Sequence, residues 1–184
     1  DYLESITHPR VYFKDFSYTD EHIFNLIRKN VKWHDIERDL AIFQERQKGK
    51  YLKEIAETLR IKLRAVSMVI KKVQGAINYW KGKLFEFFVL KRLKESKLFE
   101  KVIMDAGKGE SDIRAYTMDD KLYIYSLKNI QIAYEPYWLT KEELRPELED
   151  ALLSKLDYET HLILLVFDNY NNQVKQFIID YNNP

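Results

Sequence analysis

The stretch GKGESDIRAYTMDDKLYIYSLK, residues 107–128, decides the reading of the whole chain. Its first half, DIRAYTM from Asp112, carries enough β-branched and aromatic residues for a strand, and Asp119 and Asp120 supply a hairpin turn. The second half alternates. Leu122, Ile124, Ser126 and Lys128 share one face by the two-residue period, and Tyr123, Tyr125 and Leu127 share the other. A face that runs Leu, Ile, Ser, Lys passes from apolar to charged along a single strand. Burying a lysine beside the aspartate that opens the neighbouring strand is costly unless both find partners, so partners are expected nearby. Glu110 is the nearest spare carboxylate.

Upstream, residues 82–96, GKLFEFFVLKRLKES, read as the helix that covers this face. Glu86 lies on one stripe with Val89, Leu90 and Leu93, at offsets of three, four and seven, so a carboxylate sits on an otherwise apolar side. Two uses are open to it. Glu86 pairs with Lys128 in a core salt bridge, or Glu86, Asp112 and Lys128 converge to hold a divalent metal and set a cation beside a scissile phosphate.

The order of these features, Gly-x-x-x-Glu on a helix (Gly82 to Glu86), Gly-x-Ser-Asp at a strand start (Gly109 to Asp112) and a strand ending in x-x-Lys at Lys128, resembles the PD-(D/E)XK nuclease superfamily. Within it the chain is most similar in character to archaeal Holliday junction resolvases, over residues 81–184. Its composition also resembles that of proteins from crenarchaeal spindle-shaped viruses. The resemblance implies a restriction-endonuclease-like core and a metal-dependent DNA endonuclease acting on branched DNA as a homodimer, in replication, repair or recombination. Mg²⁺ or Mn²⁺ would be held by Asp112, Glu86 and the Leu127 backbone carbonyl, with Lys128 positioning the attacking water or adding positive charge. The family triplet is acid, any residue, lysine; here it is Ser126, Leu127, Lys128. A hydroxyl is a weaker ligand than a carboxylate, so Ser126 reaches the metal through water while Glu86 or Glu110 replaces the missing charge. The alternative is a catalytically inactive DNA-binding regulator that keeps the fold, and a protein-interaction subunit of a larger assembly is a third class.

Charge supports a nucleic-acid partner. The net charge is only +1, but residues 46–101 carry +11, against −3 for residues 1–45 and −7 for residues 102–184. Within the basic part, residues 51–73 read as a helix-turn-helix: Ile55, Ala56 and Leu59 pack against Val66, Val69 and Ile70 across a turn at Arg60, Ile61 and Lys62. Lys62, Arg64 and Ser67 would then meet DNA, joined by Lys81 and Lys83 at the start of the active-site helix.

The remaining chain gives a helical region over residues 1–80, with helices from Thr19 and from about His34, ahead of a nuclease-like domain over 81–184. In that domain FEKVIMD, residues 99–105, is a first strand; Thr140 and Glu143 form a capping box before a helix through Leu156; HLILLVFD, 161–168, is a central strand and VKQFIID, 174–180, its hairpin neighbour. The fold class is therefore α/β, a mixed five-stranded sheet with flanking helices behind a helical N-terminal region. Tyr134, Tyr137 and Trp138 either line a substrate groove or pack in a core. The four histidines are too scattered for a zinc site. There is no Cys, and no apolar run approaches the ~18 residues of a membrane helix, so an intracellular protein that does not enter membranes is expected, in the host cytoplasm if the source is viral.

Overall fold

Four helices lead into a five-stranded sheet in the computed structural model, which describes residues 11–105, 112–130 and 139–179. They are α1 (Asp20–Asn30), α2 (Ile36–Gln47), α3 (Leu52–Leu59) and α4 (Leu63–Glu95). Then come β1 (Lys101–Asp105), β2 (Asp112–Tyr116), β3 (Lys121–Ile130), α5 (Arg145–Ser154), β4 (Glu159–Asp168) and β5 (Gln173–Ile179). The chain divides into a helical unit, Tyr18–Lys83, and a sheet unit made of Asp1–Ser17 and Leu84–Pro184. The boundary expected at residue 80 thus falls inside α4, and residues 11–17 group with the sheet rather than with the helices. Among the described residues no helix is long and apolar enough to cross a membrane.

In the helical unit each start has its chemical signal. The Thr19 hydroxyl accepts from the His22 amide at 3.1 Å, and the Asp35 carboxylate accepts from the Arg38 amide at 3.1 Å, each satisfying an orphan donor of the first turn. Ile23, Phe24, Ile27, Leu40, Ile42 and Phe43 are buried, as the helical spacing requires. Asp39 is buried with them. Lys72 of α4 reaches it at 2.6 Å and Arg38 at 3.3 Å, so the charge is compensated. Between α3 and α4, Arg60 takes the left-handed conformation (φ 54°, ψ 43°) that glycine usually supplies, and its amide returns to the Ala56 and Glu57 carbonyls. The turn expected at Arg60, Ile61 and Lys62 is present. Ile55, Ala56, Val66 and Val69 are buried, but Leu59 is 42% exposed and does not join them.

The sheet runs β1-β2-β3-β4-β5, with β3 and β4 parallel and every other pair antiparallel, so it is a mixed five-stranded sheet as expected. A parallel pair needs a crossover, and α5 is that crossover. Strand register sorts the side chains by face. Asp112, Arg114 and Tyr116 stand opposite Ser126, Ile124 and Leu122, which in turn stand beside Leu164, Leu162 and Thr160. On this face Ala151 of α5 packs with Leu122, Ile124 and Leu162. The other face presents Tyr123, Tyr125, Leu127 and Phe167. It is covered by the Leu84–Glu95 part of α4 and the N-terminal segment: Phe85 and Phe16 meet Phe167 at ring-centroid distances of 5.4 and 5.0 Å, and Phe13 meets Tyr125 at 6.2 Å. Each aromatic fully buried here contributes roughly 1.5–3 kcal/mol of hydrophobic stabilisation.

These buried rings give a pH prediction. Burial pushes the Tyr123 phenol up to about 12, with Glu159 and Asp119 adding to the effect, and pushes Tyr18 up to about 12, with Asp20 adding. Burial raises Tyr125 as well. The unfolded chain releases these protons near pH ~10, so the folded state binds more protons above that value and stability falls with rising pH. The contribution is intact below pH ~10 and is lost between about 10 and 12. Tyrosinate absorbance followed beside far-UV circular dichroism should show a late-titrating class that appears only with unfolding; a single titration near 10 in the folded protein would contradict it.

Candidate active site

Four side chains share the face covered by α5. Asp112 opens β2 and stands directly opposite Ser126 on β3, and Lys128 follows two residues on, on the same side. Glu147 enters from α5. Its Oε1 accepts from the Lys128 ammonium at 2.5 Å and from the Ser126 hydroxyl at 3.1 Å. Glu147 and Ser126 are each 1% exposed and Lys128 9%. A carboxylate and an ammonium removed from water are tolerable only as a pair, and the serine adds a hydrogen bond to the same oxygen. The second Glu147 oxygen and Oδ1 of Asp112 are buried too.

The local sequence explains how Glu147 gets there. Thr140 and Glu143 form the reciprocal capping contacts expected of them: the Thr140 amide donates to Glu143 at 2.7 Å and the Glu143 amide to the Thr140 hydroxyl at 3.2 Å. Pro146 then sits in the first turn of α5, where its missing amide costs nothing. Along α5 the buried residues are Glu147, Ala151 and Ser154, at offsets of four and seven. Small side chains at the last two positions let the helix lie close to the sheet. Arg114 of β2 anchors the helix from below, donating to Asp150 and to Ser154 at 2.6 Å each.

This arrangement corrects one expectation. The helix predicted over residues 82–96 does not cover the face carrying Leu122 to Lys128; as part of α4 it packs on the opposite face, because α5 already occupies this one. Glu86 is half-buried on that α4 segment, and the carboxylate that meets Lys128 is Glu147, not Glu86. Glu110 lies outside the described residues, as do Tyr134, Tyr137 and Trp138. Leu127 points to the α4 side and leaves only its backbone for the site. Sequence reading missed Glu147. The signal that finds it is the stripe of Glu147, Ala151 and Ser154, in which a lone acid shares the buried side with two small residues.

As donors, Asp112, Glu147 and the Ser126 hydroxyl are hard oxygens, which fit Mg²⁺ or Mn²⁺ rather than a soft metal. Among the described residues no group of three or more His, Cys, Asp and Glu side chains gathers closely enough to hold a metal ion by itself. A cation here would rest on two carboxylates, with water or backbone completing its shell.

The residues expected to meet DNA are dispersed along the helical unit. Lys62 and Arg64 are exposed at the start of α4, which has no acidic residue in its first turn, and Ser67 is half-buried. Lys81 lies over the Tyr18 ring at 5.3 Å; burial lowers its pKa, partly offset by Asp20. Lys83 lies over the Tyr79 ring at 5.6 Å.

No family model, curated protein or solved structure matches the chain.

Proposed function

We propose that the protein is a metal-dependent endodeoxyribonuclease of the PD-(D/E)XK kind, in which Glu147 stands in for the acid that Ser126 replaces. The observation that carries this reading is the convergence of Asp112, Ser126, Lys128 and Glu147: the Glu147 carboxylate lies on the serine at the family's acid position and on the family's lysine. Asp112 and Glu147 would hold Mg²⁺ or Mn²⁺ together with the Leu127 carbonyl. Such a cation supplies Lewis acidity to the phosphate and acidifies water near neutral pH. Lys128 donates to a non-bridging phosphate oxygen and offsets the charge that grows there in the transition state. Ser126 fixes the Glu147 carboxylate in one rotamer. The α5 face limits water at the site, which strengthens each of these interactions.

The substrate would be DNA, with branched forms preferred and a homodimer presenting two sites. Four-way junction, duplex and single-stranded DNA of equal length, incubated with Mg²⁺ or Mn²⁺, test this. Metal-dependent cutting with a junction preference is expected, together with a dimer by sedimentation. A second reading, an inert DNA-binding regulator, is favoured by the Lys128–Glu147 pair, which satisfies the lysine without substrate. Salt-dependent binding to all three DNAs without cutting would select it.

A relocated acid has a further consequence. Ser126→Glu restores the family triplet, yet it sets a second carboxylate against Glu147 in a buried site. The single variant should lose activity and about 2–5 kcal/mol of stability, in the range for burying an uncompensated charge. Adding Glu147→Ser removes the conflict and should recover part of both. If Ser126→Glu alone raises activity, Glu147 does not fill the acid position.

A further inference from the structure

Between Leu63 and Lys83, α4 carries five basic residues and no acidic one. Lys72 is engaged with Asp39 and Lys81 with Tyr18. Arg64, Met68, Lys71, Gly75 and Tyr79 form an exposed, slowly winding stripe, each one helical turn from the next, and half-buried Lys83 continues it. Gly75 is the unusual member. A glycine inside an exposed helix is less stable than alanine there, and, its chain neighbours and its own helix's backbone aside, no atom among the described residues lies within 4 Å of the place a Cβ would take. Nothing within the helical unit requires it. What a missing Cβ permits is close approach from outside, and the flanking charge says what approaches. The Tyr79 ring is already engaged by Lys83 over one face and by Trp80 edge to face at 5.2 Å, so it offers its hydroxyl rather than an open stacking surface. That favours a sugar-phosphate backbone over unstacked bases.

We propose that the stripe of α4 formed by exposed Arg64, Lys71, Gly75 and Tyr79 and half-buried Lys83 docks the phosphate backbone of duplex DNA, with Gly75 at the point of closest approach. The proposal deepens the nuclease reading by placing its DNA, and it depends on that reading only for the choice of ligand. Binding measured in EDTA separates the two: loss of the cleavage reading leaves the binding result standing, and the reverse.

The test uses the full chain and a fluorescently labelled duplex, with anisotropy followed against salt. Lys71→Ala and Arg64→Ala should each reduce the slope of log K on log salt by about one. Gly75→Ala should raise Tm by about 2–4 °C through helix propensity while weakening duplex binding about threefold or more, a split that a purely structural glycine does not produce. Lys175→Ala, exposed on β5, should change neither. Unchanged slopes for Lys71 and Arg64, or a Gly75→Ala variant that is stabilised and binds as before, would overturn the proposal. So would tighter binding to a single strand of the same length, or a Gly75→Ala effect confined to self-association in sedimentation.

Discussion

Lys128→Met should lower the stability of the sheet unit by about 3–5 kcal/mol, because it leaves the Glu147 carboxylate buried without its ammonium. The lysine is 9% exposed and the glutamate 1%, so water cannot readily take over the lost contact. The Ser126 hydroxyl at 3.1 Å remains, and a hydrogen bond to a charged group offsets about 1.5–3 kcal/mol, only part of that cost. Glu147→Leu alone strands Lys128 in the same way, but the double variant removes both charges and should be close to wild type. Denaturant unfolding of the four proteins in this cycle should give a coupling of several kcal/mol. Additive losses would mean that the two groups do not depend on one another.

Asp112→Asn should abolish metal-dependent cleavage, by about 10²-fold or more, while leaving duplex affinity within about twofold. The amide keeps the size of the side chain and the Asp112–Ser126 strand register, and removes only the charge that a hard cation needs. On this reading affinity would be set elsewhere, by phosphate contacts from the basic helices. A variant that cuts as fast as wild type would remove Asp112 from the metal site. A variant that neither cuts nor binds would place it in the DNA surface instead.

Much of this arrangement was legible in the sequence because it is local. The two-residue period of β3 put Ser126 and Lys128 on one face, and the turn at Asp119 and Asp120 folded Asp112 back beside them. The five strands and the crossover helix also follow from runs of apolar residues and capping signals. Glu147 was not legible in the same way. It lies among Glu142, Glu143, Glu149 and Asp150, and what sets it apart from these acids is only the stripe of small residues it shares with Ala151 and Ser154. The leucines of α5 misdirect as well: Leu152 and Leu153 are 51% and 67% exposed, while Ala151 between the turns is buried. Which helix covers which face is a property of topology. It follows only once the parallel β3–β4 pair commits α5 to one side, and α4 is left with the other.

The claim at the centre of the account is that Glu147 is the acid of a hydrolytic site, and single-turnover cleavage by Glu147→Gln tests it most directly. The substrate is a labelled four-way junction with Mg²⁺, and DNA affinity and circular dichroism are measured on the same preparation. The account predicts wild-type cutting, a loss of about a hundredfold or more in the variant, and retained binding and fold. A folded Glu147→Gln protein that cleaves at the wild-type rate would contradict it.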